Sequence, residues 1–205
     1  LLQYPVVKGQ AGVVQLLRSR GAGDQYLLQT GLAGAGATSA GAFPTHLATF
    51  TSDFAGFALQ SGADELRVPL KWTSPEGVVV TKTYVLKHNS YRIDIEYAIQ
   101  NGSAAAWSVA PYSQILHDRP PVERSYFAVE SYAFTGPAIW DGTKYKKLDQ
   151  DDTNFEALNR ELTGGWMAGL QHHFVTAIAP AQTEPHRYTL RTQDNQYLAT
   201  VVGPT

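Results

Sequence analysis

Between residues 66 and 100 apolar and polar positions alternate with a period of two. Tyr91, Ile93, Ile95, Tyr97 and Ile99 are interleaved with Arg92, Asp94, Glu96, Ala98 and Gln100. Side chains two apart share one face of a sheet, so this is a strand with one apolar and one wet face. That pattern suits an antiparallel sheet covered on one side only. Residues 66–72 and 78–86 read as two further strands. The connections 73–77 and 87–90 are short and rich in turn residues, which predicts a three-stranded meander. Pro69 has no amide to donate, so the first strand belongs at an edge or carries a bulge.

The same reading extends to both sides. Residues 13–17 and 26–28 are short apolar pieces separated by glycine and charge. Residues 31–41 form a Gly/Ala/Ser run, read as a flexible surface loop. Gly34-Ala-Gly36 within it is no dinucleotide fingerprint, because the third glycine is misplaced and Phe43-Pro44 stands where a helix should begin. Residues 46–50 and 54–60 resume strand-like composition. Asn101-Gly102 is a turn, and Asn101-Gly-Ser103 is formally a glycosylation sequon. Residues 107–116 predict a strand, with Pro111 arguing for an edge; residues 117–121 read as a loop. Residues 126–134 alternate loosely, Trp140-Asp-Gly142 is a turn, and residues 145–148 follow as a short apolar-polar piece. The one helix signal is the capping box Thr153-Asn-Phe-Glu156, followed by Ala157, Leu158 and Leu162 and closed by Gly164-Gly165. Residues 166–178, apolar, β-branched and aromatic, predict buried strands. Residues 187–191 and 196–202 make a last hairpin. Many short strands, frequent turns and at most a minor helix predict an all-β sandwich.

Composition narrows the class. The chain has 205 residues, 43% hydrophobic and 17% charged, an ordinary globular balance. A formal net charge of -2 offers no basic surface for nucleic acid. No apolar run reaches the roughly 18 residues of a membrane span. The absence of cysteine excludes disulfides and thiolate metal sites, and tolerates an oxidising compartment. The chain opens directly on Leu1-Leu2, which leads us to expect further sequence before it.

Candidate chemistry is sparse. His172-His173 invites a metal reading, but neighbours on a strand point to opposite faces and cannot close on one ion; a structural role for each is expected. Asp149-Gln-Asp-Asp152 begins like a calcium loop, yet Asn154 and Arg160 occupy the sixth and twelfth positions, so the pattern fails. His117-Asp118 lacks the Gly-x-Ser-x-Gly elbow of a hydrolase triad. Nothing singles out two of the 18 acids as a carboxylate pair. No catalytic, cofactor-binding or metal residues are assigned.

Residues 66–70, 81–87 (Thr-Lys-Thr-Tyr-Val-Leu-Lys), 91–97 (Tyr-Arg-Ile-Asp-Ile-Glu-Tyr), Gly164-Gly-Trp166, 170–174 (Leu-Gln-His-His-Phe) and 176–180 together carry a resemblance running from about Tyr4 to Val202. Their order and spacing resemble the large periplasmic domain of the bacterial insertases in the YidC/Oxa1/Alb3 family. The resemblance implies a β-super-sandwich of antiparallel sheets like galactose mutarotase. It also implies one periplasmic domain over residues 1–205, truncated at both ends relative to the family domain, within an inner-membrane protein of Gram-negative bacteria whose insertase core is absent from this chain. Family members carry an aromatic where this chain has His173, and often one in place of Ile178; both changes read as structural. The family is also extended around residues 153–162, which weighs against the helix.

By the same resemblance the function is non-catalytic, assisting membrane-protein insertion by docking the Sec translocon with its SecD/SecF accessory proteins and nascent membrane-protein substrates. The alternative is a carbohydrate-binding or aldose-epimerase-like enzyme, which needs a carboxylate base and a histidine acid across a cleft; the sequence supplies no matching arrangement, and fold alone does not confer it. The expected partner surface is Trp140, Lys144, Tyr145, Lys146 and Lys147, aromatic anchors with a charged rim in a turn-rich segment.

Overall fold

The structure is a computed structural model that describes residues 12–19, 21, 23, 25–34, 43–118, 134–149, 157–193 and 195–205. Among these the strands are β1 (Arg18–Ser19), β2 (Gln25–Gly34), β3 (Glu65–Thr73), β4 (Val78–Lys87), β5 (Ile93–Asn101), β6 (Val109–Asp118), β7 (Gly136–Trp140), β8 (Tyr145–Lys147), β9 (Asn159–Thr163), β10 (Trp166–Leu170), β11 (Val175–Ile178), β12 (Pro185–Gln193) and β13 (Gln196–Val202). No described residue is helical, so none lies in a helix long and apolar enough to cross a membrane. The chain divides into two compact units, one of Leu1–Thr30 with Ala110–Thr205 and one of Gly31–Val109.

The first unit is an antiparallel sandwich. Its larger sheet has the order β1-β2-β6-β13-β12-β9 and its smaller one β11-β10-β7-β8. Between them Tyr26, Ile115, Ile139, Met167, Tyr188, Leu190, Tyr197 and Val201 form the core. Packed sheets lie about 10 Å apart, which leaves little room for a tyrosine facing another side chain. Glycine solves this at Gly169 of β10. The Tyr26 hydroxyl donates to the Gly169 carbonyl at 3.0 Å, and a Cβ at Gly169 would meet the Tyr26 and Tyr197 hydroxyls at 2.7 and 2.8 Å.

The second unit holds the meander β3-β4-β5, with Pro69 on an edge strand opposite Thr83 as its missing amide requires. One face carries charges around a buried Val85: Arg67 donates to Glu65 at 3.1 Å and also to Glu96, and Arg92 pairs with Asp94 at 2.6 Å. The other face carries Val78 and Val80, which are buried with Leu32 against Trp72, Tyr97, Trp107 and Val109. Lys82 shares that face and is 4% exposed, its ammonium 5.0 Å from the Tyr84 ring centroid and 5.5 Å from that of Phe50; aromatic faces attract a desolvated cation.

Several expectations are corrected. Of the helix over residues 153–162, positions 153–156 lie outside the described residues, and Asn159–Thr163 is strand, paired with β12 from Asn159↔Thr189 to Pro185↔Thr163. Leu158 and Leu162 are four apart, a spacing that serves a helix and a strand equally, and pairing to β12 decides it. The loop expected from Gly31 begins later, because Gly31–Gly34 continues β2. Gly34 lies under the Phe43 ring, which occupies the space a Cβ would need. Residues 35–41 of that loop, and residues 126–133, lie outside the described set. Residues 13–17, 46–50 and 54–60 are not strands; beside the last two segments only Thr51 forms a bridge, to Lys71. Pro111 does not mark an edge, since β6 lies between β2 and β13. It sits beyond the final register pair Val202↔Tyr112, where only its carbonyl is needed, by Gly203 N–H at 2.8 Å. His117 and Asp118 end β6 rather than opening a loop. The apolar row 91–99 is an inner face only in part: Tyr97 packs on the buried cluster, whereas Tyr91 is 75% and Ile93 51% exposed at the edge of the meander.

Replacing Gly169 by Ala is expected to cost about 1–3 kcal/mol in urea unfolding, as overpacking does. Tyr197→Phe should be neutral or stabilising, because its buried hydroxyl has no hydrogen-bond partner among the described residues. Burial pushes the Tyr26, Tyr188 and Tyr197 phenols up. Their stabilising contribution is therefore complete below the unfolded value of about 10 and falls as pH rises through the folded values. Unfolding midpoints that hold level above pH ~10 would contradict this assignment.

Candidate functional site

The candidate surface lies on the smaller sheet of the first unit and follows from its register. Met167, Ile139 and Gly169 turn toward the core, so the alternate positions of β10 and β7 turn to the other face, where Ala138 and Ala168 are buried and Trp140 and Trp166 half-buried. Trp166 pairs with Trp140, and Trp140 with Tyr145. Directly paired residues share a face, so three aromatic side chains form a row across β10, β7 and β8. Tyr145 is 46% exposed, and its ring centroid lies 6.0 Å from that of Trp166. Trp166 was not among the expected site residues. Only the strand register, which sequence spacing does not reveal, brings it beside Trp140 and Tyr145.

The turn between β7 and β8 is fastened by Asp141. Its Oδ1 accepts from the Thr143 amide at 3.1 Å, the Thr143 hydroxyl at 2.8 Å and the Lys144 amide at 2.8 Å. These bonds, led by the Lys144 amide and joined by Lys146, hold its carboxyl well below the usual carboxylate range. The three lysines differ in situation. The Lys146 ammonium is 3.5 Å from Asp141 Oδ2, that of Lys147 sits 5.3 Å from the Phe134 ring centroid, and Lys144 is exposed at the turn.

The other candidates do not converge. His172 and His173 lie in the turn between β10 and β11, both exposed, with ring centroids 4.0 Å apart and edge-on. The strand geometry expected for them, one inward and one outward, is thus corrected. Among the described residues no three His, Cys, Asp or Glu side chains could hold a metal ion. His117 is buried with its ring 4.3 Å from Tyr26 and 5.4 Å from Tyr197. Asp118 Oδ2 accepts from the Gln25 amide at 2.8 Å and Oδ1 from the Gln196 side chain, so both residues serve packing. Asp149 is exposed, and residues 150–152 of the acidic run lie outside the described set.

Asp141→Ala is expected to speed hydrogen exchange at the Thr143 and Lys144 amides several-fold. In the unaltered chain the same protection should persist at neutral pH. It should be lost only as pH falls below the ordinary aspartate range, since the folded group titrates lower than the unfolded one. Amide exchange followed by NMR reads both.

Comparison with known proteins bears on the whole chain. A family model described as the YidC periplasmic domain matches residues 1–205. The membrane protein insertase YidC of Thioalkalivibrio sulfidiphilus is 39% identical over 170 residues, covering 82% of this chain and 30% of the relative. That of Methylococcus capsulatus is 36% identical over 212 residues, covering 100% of this chain and 37% of the relative. That of Nitrosococcus oceani is 33% identical over 207 residues, covering 100% and 36%. The chain thus spans about a third of the length of these curated relatives. With a match over its full length and an all-β antiparallel architecture, the chain belongs to the YidC periplasmic-domain family.

Proposed function

We propose that this chain acts as a non-catalytic docking domain on the periplasmic face of an inner-membrane protein insertase. In this reading it holds accessory proteins of the Sec translocon, SecD and SecF, beside the insertase while nascent membrane proteins are inserted and folded. Family membership supports the setting. The docking role rests on one observation, the row Trp166, Trp140 and Tyr145 on one face of the smaller sheet, edged by Lys147 and by Lys144 at the turn, while Lys146, paired with Ile139, belongs to the opposite face. Large aromatics offer contact area at small entropic cost, and interface anchors are enriched in Trp and Tyr. Asp141 presets the turn that carries Lys144 and Tyr145, so less ordering remains to be done on binding. The lysines are unequal: Lys146 already faces Asp141 and Lys147 lies over Phe134, which leaves Lys144 the cation most available to an acidic partner.

Tyr145→Ala combined with Lys144→Glu should lower co-purification of SecD and SecF several-fold, with the thermal midpoint of the domain unchanged. Lys146→Glu alone should have a smaller effect on recovery. Unaltered recovery with the double substitution would refute this surface.

A further inference from the structure

We propose that residues 43–60 of the second unit form a bilayer-contacting loop that seats Leu47 and Phe54 in the interfacial region of a lipid membrane. The segment holds Leu47, Leu59 and the phenylalanines Phe43, Phe50, Phe54 and Phe57, against one acid, Asp53, and no Lys or Arg. These residues divide their roles. Phe43 stacks on Trp107 at 5.4 Å and Phe50 lies over Lys82, whereas Leu47 is 82%, Phe54 63% and Leu59 38% exposed.

Exposure here is built in. Thr51 and Lys71 exchange two backbone hydrogen bonds of 2.8 Å, which pin the middle of the loop to β3. On one side the Ala48 amide donates to the Thr45 carbonyl at 3.1 Å and the Leu47 amide to Thr45 Oγ1 at 3.3 Å, making a turn with Leu47 within it. On the other, Ser52 Oγ donates to the Phe54 carbonyl at 2.9 Å and accepts from the Phe54 amide at 3.1 Å. Phe54 meets the Phe57 ring edge-on at 5.7 Å and, with Ala58, Leu66 and Pro69, lines an open groove. A slack loop would fold such side chains away from water; this one is tied so that it does not.

The chemistry of the loop favours lipid over a protein groove. Its Thr45 and Ser52 hydroxyls are spent on its own backbone, so it offers few directed polar groups to a protein rim. Phe and Leu enter a bilayer interface without directional partners. Lys71, bridged to Thr51 and exposed, sets an ammonium beside the loop, complementary to anionic headgroups. The proposal rests on the reading above in one respect. A domain that forms about a third of a membrane protein is held near the bilayer by the rest of the polypeptide, so weak insertion suffices.

The chain contains no cysteine, so single labelling sites are clean. Leu47→Cys, Phe54→Cys and, in the exposed β3–β4 turn, Glu76→Cys would each carry a nitrobenzoxadiazole fluorophore. The tagged chain is held on phosphatidylglycerol/phosphatidylethanolamine vesicles containing nickel-chelating lipid and a spin-labelled phospholipid. Blue-shifted emission and quenching at positions 47 and 54, with neither at 76, is the expected result. In untethered co-sedimentation, Leu47→Ser with Phe54→Ser should lower vesicle binding several-fold at an unchanged thermal midpoint. Labels at 47 and 54 no more quenched than at 76 would overturn the proposal. So would crosslinks from these positions to a protein partner without lipid quenching. If SecD/SecF recovery meanwhile stays sensitive to Tyr145 and Lys144, this proposal alone has failed; loss of that sensitivity with quenching intact refutes only the docking surface.

Discussion

The sandwich of the first unit depends on a close approach: the Tyr26 and Tyr197 hydroxyls, from the larger sheet, reach the backbone of β10 at Gly169. Any side chain there would push the sheets apart or turn the rings. The contact fixes which positions of β10 look toward the core, Met167 and Gly169, and therefore which turn to the other face, Trp166 among them. Through pairing with β7 and β8 the same choice places Trp140 and Tyr145 on that other face. A one-residue slip would bury the lysine-edged aromatic row and expose the core.

The two units solve the problem of buried polarity differently. In the first, tyrosine hydroxyls are carried into the interior and Tyr26 finds a backbone carbonyl, while Asp118 is held by the Gln25 amide and the Gln196 side chain. In the second, the apolar face of the meander accepts Lys82 by surrounding its ammonium with the rings of Phe50, Tyr84 and Tyr97. Its neighbouring loop keeps other large side chains in water, a cost that an ordinary solvated loop avoids. Each surface proposed for function therefore departs locally from the rule that apolar groups be buried, and each is held in place by short hydrogen bonds, at Asp141 and at Thr51.

How much was legible in the sequence depended on whether a local rule met a tertiary one. The meander and the last hairpin followed from strand patterning and turn residues, the strand character of residues 166–178 from their apolar and β-branched content, and Pro69 marked a true edge. Pro111 misled because a proline is also tolerated just past the end of a ladder, where only its carbonyl is used. Leu158 and Leu162 misled because a spacing of four satisfies both periods. Gly31 read as loop although the glycines up to Gly34 let a strand pass beneath Phe43. His172 and His173 were placed on a strand whose turn the apolar run concealed. Of the candidate site, Trp140 and Tyr145 were legible as aromatics in a turn-rich stretch. Trp166 and the engagement of Lys146 with Asp141 belong to register and to three-dimensional charge pairing.

The most direct measurement is photocrosslinking in cells from a benzophenone amino acid placed at position 145, with the same amino acid at position 76 as reference. An adduct with SecD or SecF is expected from 145 and none from 76. No adduct from 145, or equal adducts from both positions, would contradict docking through this surface.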